Sequence, residues 1–582
     1  MRLSGEGFPR YPLDFRPTES GDRLIYLRRE NVDAVQLWSA TVAGEERVRL
    51  NGTLRRGPRG SVHEVALHPS GRLAYYVTSL ATPAWKAEVF HLWRVELDEP
   101  RKAQHLAEFT LDAWEQPFTP WPVQFSADGR FLLHGLQDQS DGTVWMRRAD
   151  TGEVVRAFHA LAPPLLTPDG RHCVVRQANQ LARLTLDEGG SLRRIGPEAV
   201  VDPAPALLVD PSGERVVFLQ RAGAVRELWS ALVHGGAPPV RLNGPMGVGG
   251  SVGGTGLPSL QPTFQLSDSR AVYVADEETN SVNELYSAPL DGSSARIKIS
   301  APMVAHGGIS MDPNLGPPFR LSPDGRHAVY VAEQDVDQVV ELYRADVLGG
   351  PVVRLSGVLV TNGDIGGGRR NSSRQHQVFE ISSDGRYVVY LADAETDGVE
   401  ELFIVPLDAS SPARKVNARL APGEFVVDFG LAPDGAVVYR VDDQGTGGGG
   451  LELFARTVDG APARRIGSEL DWIGGYGSIE SPQGFTFSPD ASQVLFHARP
   501  GGRPGPGIFL APLDGSSPAS ELSGPMVVGG GAVARDRLPR TLFTRDGARV
   551  LYIADQESDE VHELFATFLE HTPRRGPTPD GE

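Results

Sequence analysis

The apolar positions of the chain fall into short runs that recur with the same neighbours. His327-Ala328-Val329-Tyr330-Val331-Ala332 follows the polar tetrapeptide Pro323-Asp324-Gly325-Arg326, and near-copies follow Asp384-Gly385-Arg386 and Asp546-Gly547-Ala548. A nearly unbroken apolar run of six residues after an Asp-Gly turn predicts a strand covered on both faces, the turn being one that tolerates positive φ. Taking the second residue of that turn as an anchor gives Gly21, Gly71, Gly129, Gly170, Gly213, Ser269, Gly325, Gly385, Gly435, Ala491 and Gly547. Eleven units result, spaced by 41 to 60 residues.

Each unit divides into four short strands, here a to d. Strand a precedes the Asp-Gly turn, as in Phe319-Arg320-Leu321-Ser322, and strand b is the apolar run. Strand c is a Glu-Leu-aromatic element, seen at Glu227-Leu228-Trp229, Glu284-Leu285-Tyr286, Glu341-Leu342-Tyr343, Glu401-Leu402-Phe403, Glu452-Leu453-Phe454 and Glu563-Leu564-Phe565. Strand d reads Val240-Arg241-Leu242-Asn243-Gly244 or Val353-Arg354-Leu355-Ser356-Gly357. Four strands in 40 to 50 residues is the arithmetic of a β-propeller blade, whose sheets pack face to face around an axis. The expected fold is all-β: a β-propeller of about eleven four-stranded blades.

The last unit stops after strand c, whereas the chain begins with Arg2-Leu3-Ser4-Gly5, which matches the strand-d ending Arg354-Leu355-Ser356-Gly357. The N-terminal strand is therefore expected to complete the last blade and remove an open edge. That arrangement places both ends in one ring, so a single large ring is favoured over two tandem propellers. The propeller is assigned to residues 1–571, and 572–582 to a flexible polar tail. Units 2 to 4 diverge most, and Glu99 to Pro122 reads as an irregular insertion.

The motifs Ser322-Pro323-Asp324-Gly325-Arg326, Val388-Val389-Tyr390, Ala392-Asp393-Ala394-Glu395-Thr396-Asp397 and Glu341-Leu342-Tyr343 together resemble the TolB-like (WD40-like, PD40) propeller repeat of bacteria. The resemblance covers nearly the whole chain. It implies a family known mainly for binding partners, which also includes the propeller domains of some peptidases; fold alone does not select between these.

Composition narrows the picture. Gly and Pro make up about 19% of the 582 residues, against a usual ~12%, which suits turns and not helical bundles. The formal charge of −18 opposes binding to a phosphate backbone, so no nucleic-acid partner is expected. Cys173 is the one cysteine, which excludes a disulfide framework and a cysteine-ligated metal cluster, and its setting is that of a core strand. No window is apolar enough to span a bilayer and the start lacks a signal peptide, so the expected location is cytoplasmic, or periplasmic or extracellular if an export signal lies upstream. A monomer is favoured.

Candidate chemistry concentrates in the loops between strands b and c. Asp276 and Glu278, Asp335 and Asp337, Asp393, Glu395 and Asp397, and Asp555, Glu557 and Asp559 place alternating carboxylates in short loops. Ca²⁺ takes 6 to 8 oxygen ligands, so these ten residues are the Ca²⁺ candidates; the competing and preferred reading is that they cap tight loops through backbone hydrogen bonds. The Glu of strand c is read as a structural partner for backbone or Arg. The long Gly-rich d–a loops, including Gly244 to Leu257, fall on the same face as the acidic loops. Gly249-Gly250-Ser251-Val252-Gly253 matches G-x-S-x-G but lies between blades and not on a strand-to-helix turn, so it is rejected as a nucleophile elbow. His306, His327 and His562 show no H-x-H or H-E-x-x-H spacing, so spacing supports no zinc centre. With the chain used up by blades, the expectation is a non-enzymatic propeller scaffold binding a protein or peptide partner through its acidic, Gly-rich loop face. The alternatives are an enzyme, a lyase or hydrolase, with a site at the central channel mouth, or a calcium-dependent glycan-binding or adhesive module. No catalytic residue and no cofactor other than Ca²⁺ is assigned.

Overall fold

The computed structural model describes residues 2, 15–18, 20–31, 34–44, 46–51, 61–81, 87–97, 102–112, 119–137, 142–177, 180–196, 207–253, 263–367, 377–443, 451–457, 461–467, 470–474, 485–500, 506–527, 531, 541–557 and 563–569. The tail assigned to 572–582 lies outside them. The strands form eleven antiparallel sheets, and the fold is an all-β propeller of eleven blades. No helix among the described residues is long and apolar enough to cross a membrane.

The repeat is drawn most sharply in blade 7. Strand a is Phe319–Leu321, b is His327–Glu333, c is Glu341–Asp346 and d is Val353–Arg354. A short extra strand, Gly308–Ile309, pairs with the end of strand b. At the a–b turn the Ser322 hydroxyl donates to Asp324 Oδ1 (2.6 Å), and the Arg326 and His327 amides donate to Asp324 and to Ser322 Oγ. Gly325 then sits at φ 68°. Ten of the eleven anchors, Ala491 at 55° included, share this left-handed conformation. Ser269 does not, because its turn is shorter: Ser267 N bonds Arg270 O, whereas Ser322 N reaches five residues on to His327 O.

The chain divides into two compact units, one of residues 1–62, 95–103 and 446–582, the other of 63–94 and 104–445. In the larger unit consecutive blades bury their faces against each other. Val272, Val274 and Leu285 of blade 6 pack on Phe319, Ala328 and Tyr330 of blade 7, and Val329, Val331 and Leu342 of blade 7 on Val388, Tyr390 and Phe403 of blade 8. A fully buried Val, Leu or Phe contributes roughly 1.5–3 kcal/mol, so each interface outweighs a turn cap of about 1 kcal/mol. Blade stacking, and not turn chemistry, holds the fold.

In the smaller unit Leu24, Tyr26 and Ala40 of blade 1 pack on Leu551, Ile553 and Leu564 of blade 11. Two tandem rings would instead set the first blade against the fifth or sixth. Blade 11 has only three long strands of its own, Thr541–Phe543, Arg549–Ala554 and Glu563–Phe568. Its outer position is taken by Arg2, which bridges Phe565 in antiparallel register as Lys298 pairs Tyr286 and Arg354 pairs Tyr343. The guanidinium also copies the strand-d cations: Arg2 Nη1 lies 3.0 Å from Glu563 Oε1 and 2.5 Å from Glu557 Oε2.

One expectation is corrected. The stretch Glu99 to Pro122 is not an irregular insertion: Gln104–Asp112 is strand d of blade 2, and Thr119–Phe125 is strand a of blade 3. Its Pro, Trp and charged residues obscured the alternation by which strands are recognised.

Because Glu563 is almost fully buried, reversing its partner with Arg2→Glu should cost about 1–3 kcal/mol, while Arg2→Lys should stay near wild type. Denaturant midpoints measure this, and equal stability of Arg2→Glu and wild type would remove the N-terminal strand from blade 11.

Candidate partner-binding face

The b–c and d–a connections leave the same end of each blade, and main-chain bonds join them. The turn before blade 6 donates from Gly247 N to Glu277 O, that before blade 7 from Val304 N to Gln334 O, and that before blade 8 from Val360 N to Ala394 O. Each d–a segment makes a tight turn closed by a bond from Gly250 N to Gly247 O, Gly307 N to Val304 O, or Gly363 N to Val360 O. The third residue of each has positive φ: Gly249 (87°), His306 (68°) and Asn362 (63°).

The acidic residues then divide into three roles. Asp276, Asp393 and Asp555 are buried at the start of their loops and act as caps. Asp276 accepts from Ser251 N (2.6 Å) and Ser281 N (2.9 Å), Asp393 from Asp364 N (2.5 Å) and Gly398 N (2.9 Å), and Asp555 from Gly531 N. Glu333 does the same in blade 7, accepting from Gln338 N at 3.0 Å. The donor five residues on has positive φ in three blades, at Ser281, Gln338 and Gly398, so one carboxylate fixes both the loop and the preceding turn.

A second group is ion-paired. Glu278 meets Lys298 Nζ at 2.8 Å, Glu395 meets Lys415 Nζ at 2.6 Å, and Glu557 meets Arg2. The same cations bond the strand-c glutamates: Lys298 to Glu284, Lys415 to Glu401 and, in blade 7, Arg354 to Glu341. Glu284 and Glu341 also accept the hydroxyls of Tyr286 (2.8 Å) and Tyr343 (2.6 Å). Burial and these carboxylates push both phenols well above their ordinary value.

The third group, Asp335, Asp337 and Asp397, is exposed. Asp337 and Asp397 meet only the amides of Gln338 and Asn362, each at 3.4 Å. Asp559 lies outside the described residues. As they stand, no three His, Cys, Asp or Glu side chains among the described residues are grouped to hold a metal ion.

The loops at this end also present apolar side chains: Val248 is 99% exposed, Val358 83% and Val336 51%. The glycine content of the d–a loops pointed to close approach but not to these valines, which look in sequence like strand residues. A second polar layer was also missed. The hydroxyl of Tyr273 donates to Glu277 (2.8 Å), which is clamped by Arg296 Nε (2.6 Å), and Tyr330 and Tyr552 donate to Gln334 and Gln556 at the same loop position. Its signal was the repeated Tyr four residues before a Glu or Gln.

Other candidates have structural surroundings. Ser251 is buried and its Oγ accepts from Arg226 N at 3.1 Å. Cys173 is fully buried, and burial raises its thiol pKa far above the ordinary value. On the opposite face a cleft of about 490 Å³ between blades 7 and 8 is lined by Asp324, His327, Arg386, Tyr387, Leu407 and Asp408. Its carboxylates are engaged by their own turns: Asp324 by Ser322 and Arg326, and Asp408 by Ser410 N at 2.9 Å.

Removing a buried cap charge should loosen the face. Asp276→Asn and Asp393→Asn are each expected to lower stability by about 1.5–3 kcal/mol, the range for hydrogen bonds to a charged group, read as denaturant midpoints. With the buried carboxylates held by amides, the glutamates by cations, and the exposed ones not grouped, the protein should show no rise in melting temperature in millimolar Ca²⁺ over EDTA; a rise lost in Asp335→Asn would overturn this assignment.

No family model and no curated protein matches the chain. Among solved structures it is similar to a prolyl endopeptidase (12% identity, TM-score 0.31, 66% of this chain and 55% of that one) and to dipeptidyl peptidase 4 of Porphyromonas gingivalis (12%, 0.38, 79% and 59%). It therefore spans little more than half the length of either peptidase. It is also similar to TolB of Acinetobacter baumannii (14%, TM-score 0.25, 60% of this chain and 78% of that one). At these identities the likeness concerns the propeller fold.

Proposed function

We propose that the protein is a non-enzymatic propeller that binds a protein or peptide partner through the b–c and d–a loops of blades 6 to 8. The observation that carries this reading is that exposed Val248, Val336 and Val358 and the exposed carboxylates Asp335, Asp337 and Asp397 all lie on the b–c and d–a loops at one end of blades 6 to 8, where each d–a turn is bonded to the b–c loop of its blade. Apolar side chains held out in water at the same end as exposed carboxylates are what a contact surface needs: area to bury and a sign to select. The partner segment is then basic with small apolar residues. The loops are pinned by buried caps, so little ordering entropy is lost on binding.

The test compares partner capture from the source cells by wild type, by a face variant (Val248→Asp, Val358→Asp, Asp335→Asn, Asp397→Asn) and by Arg386→Glu on the opposite face. Capture is expected to be lost only in the face variant and to weaken in high salt. Equal capture by wild type and face variant, or none by either, overturns the proposal.

One observation favours a second reading, an enzyme with its site in the channel. Glu380, on the inner strand Phe379–Ile381 of blade 8, has a buried Oε2 with no hydrogen-bond partner. Burial raises its pKa despite the opposing pull of Arg320, whose guanidinium is held by Gln377 at 2.8 Å. A buried carboxyl with a raised pKa is a general-acid candidate. Turnover of a hydrolase or lyase substrate by wild type and not by Glu380→Gln is the outcome this reading requires.

A further inference from the structure

The outer half of blade 2 brings together three groups that are far apart in sequence pattern. Strand c, Ala87–Glu96, pairs with strand d, Gln104–Asp112, with His91 opposite Glu108 and Leu92 opposite Ala107. The register then slips, so that Trp93 faces His105 and Leu106 is the extra residue. Side chains alternate between the faces of a strand, so without this bulge Leu106 would oppose Trp93 and His105 would point to the other face. The bulge puts His105 on the face of His91 and Glu108, while Leu106 packs into the apolar core shared with blade 3.

The result is a compact cluster. His91 Nδ1 and His105 Nε2 are 3.2 Å apart, and Glu108 Oε2 is 3.8 Å from His91 Nδ1. Trp93 gives the cluster a fixed floor: its Nε1 donates to Thr78 Oγ1 at 3.0 Å, its ring stacks on Tyr76, and the His105 ring stands edge-on to it at 4.9 Å.

We propose that His91 and His105 form a two-imidazole binding site for a divalent transition-metal ion of the Zn²⁺ class, which the Glu108 carboxylate joins only by turning its side chain toward the ion. Two nitrogens each about 2.0–2.1 Å from a tetrahedral ion lie about 3.3 Å apart, which is the spacing observed. Without metal one ring donates its N–H to the other ring's lone pair. With metal both lone pairs turn to the ion, and one ring shifts its proton to the outer nitrogen, so no net proton is released. The carboxylate side chain is 59% exposed and within rotamer reach of the ion, and water fills the remaining position. This site is independent of the loop face.

The test measures Zn²⁺ binding to chelator-treated full-length protein by competition with a chromophoric chelator at pH 7.5. One ion per chain is expected, with affinity falling about tenfold or more in His91→Ala and in His105→Ala and less in Glu108→Gln. Circular dichroism of the two alanine variants should match wild type: His105 is exposed, and His91 is half-buried on the outer strand pair, away from the apolar core shared with blade 3. Cu²⁺ should quench tryptophan fluorescence in wild type and quench less in Trp93→Phe. No binding by wild type, or wild-type affinity in the His91→Ala/His105→Ala double variant, overturns the proposal.

Discussion

Every blade buries both faces of its second strand, and that requirement governs where everything else can go. His327–Glu333 carries five consecutive fully buried residues, and Arg270–Ala275, Tyr387–Ala392 and Arg549–Ala554 repeat the pattern. A strand covered on both sides can hold neither a charge nor a ligand at low cost. Polar chemistry is pushed to the strand ends, the outer edge and the innermost strand. The aromatic pairs across strands b and c, such as Tyr330 on Tyr343 at 5.5 Å and Tyr552 on Phe565 at 5.5 Å, mark the border between the apolar stack and that polar layer. Their hydroxyls, where present, reach out to the loop carboxylates and amides.

This border explains why so many carboxylates appear in the loops of a protein carrying a charge of −18. Asp276 and Asp393 are buried because the backbone of a tight loop needs acceptors for amides that no strand can satisfy. Glu284, Glu341, Glu401 and Glu563 are buried because the outer strand is too short to cover strand c, and a long cation on strand d closes the gap with its stem while pairing with its head. The acidity of the face is thus partly scaffold. The residues left after both demands are met are Asp337 and Asp397, exposed with one long contact each to a side-chain amide, and Asp335, exposed beside the Tyr343 hydroxyl.

How much of this was legible in the sequence follows from whether a feature repeats. The Asp-Gly anchors could be found because ten turns need the same left-handed residue, and the missing outer strand could be found because Arg2-Leu3-Ser4-Gly5 copies a strand-d ending. The alternating carboxylates were visible too, but spacing along a loop could not separate a cap from a metal ligand. Asp276 and Glu278 are two residues apart and face different partners, one the backbone and the other Lys298. The His91–His105 pair was invisible because it depends on a one-residue slip between two strands in a divergent unit. A bulge leaves no mark that sequence spacing can show.

Comparing the blades with one another separates what the scaffold fixes from what it leaves open. In blades 6, 7 and 8 the loop cap is Asp276, Glu333 or Asp393, the strand-d cation is Lys298, Arg354 or Lys415, and the last residue of the d–a turn is Gly250, Gly307 or Gly363. At the last of these a side chain would strike main-chain atoms: a Cβ on Gly307 would lie 2.1 Å from Glu333 O and one on Gly363 2.7 Å from Asp393 O. The two residues at each turn tip meet no such constraint and differ: Val248-Gly249, Ala305-His306 and Thr361-Asn362. The neighbouring b–c position is Thr in blades 6 and 8, at Thr279 and Thr396, and Val336 in blade 7. The scaffold therefore fixes the supports of this face and leaves the turn tips open to vary, which is where a rigid fold can carry variable chemistry.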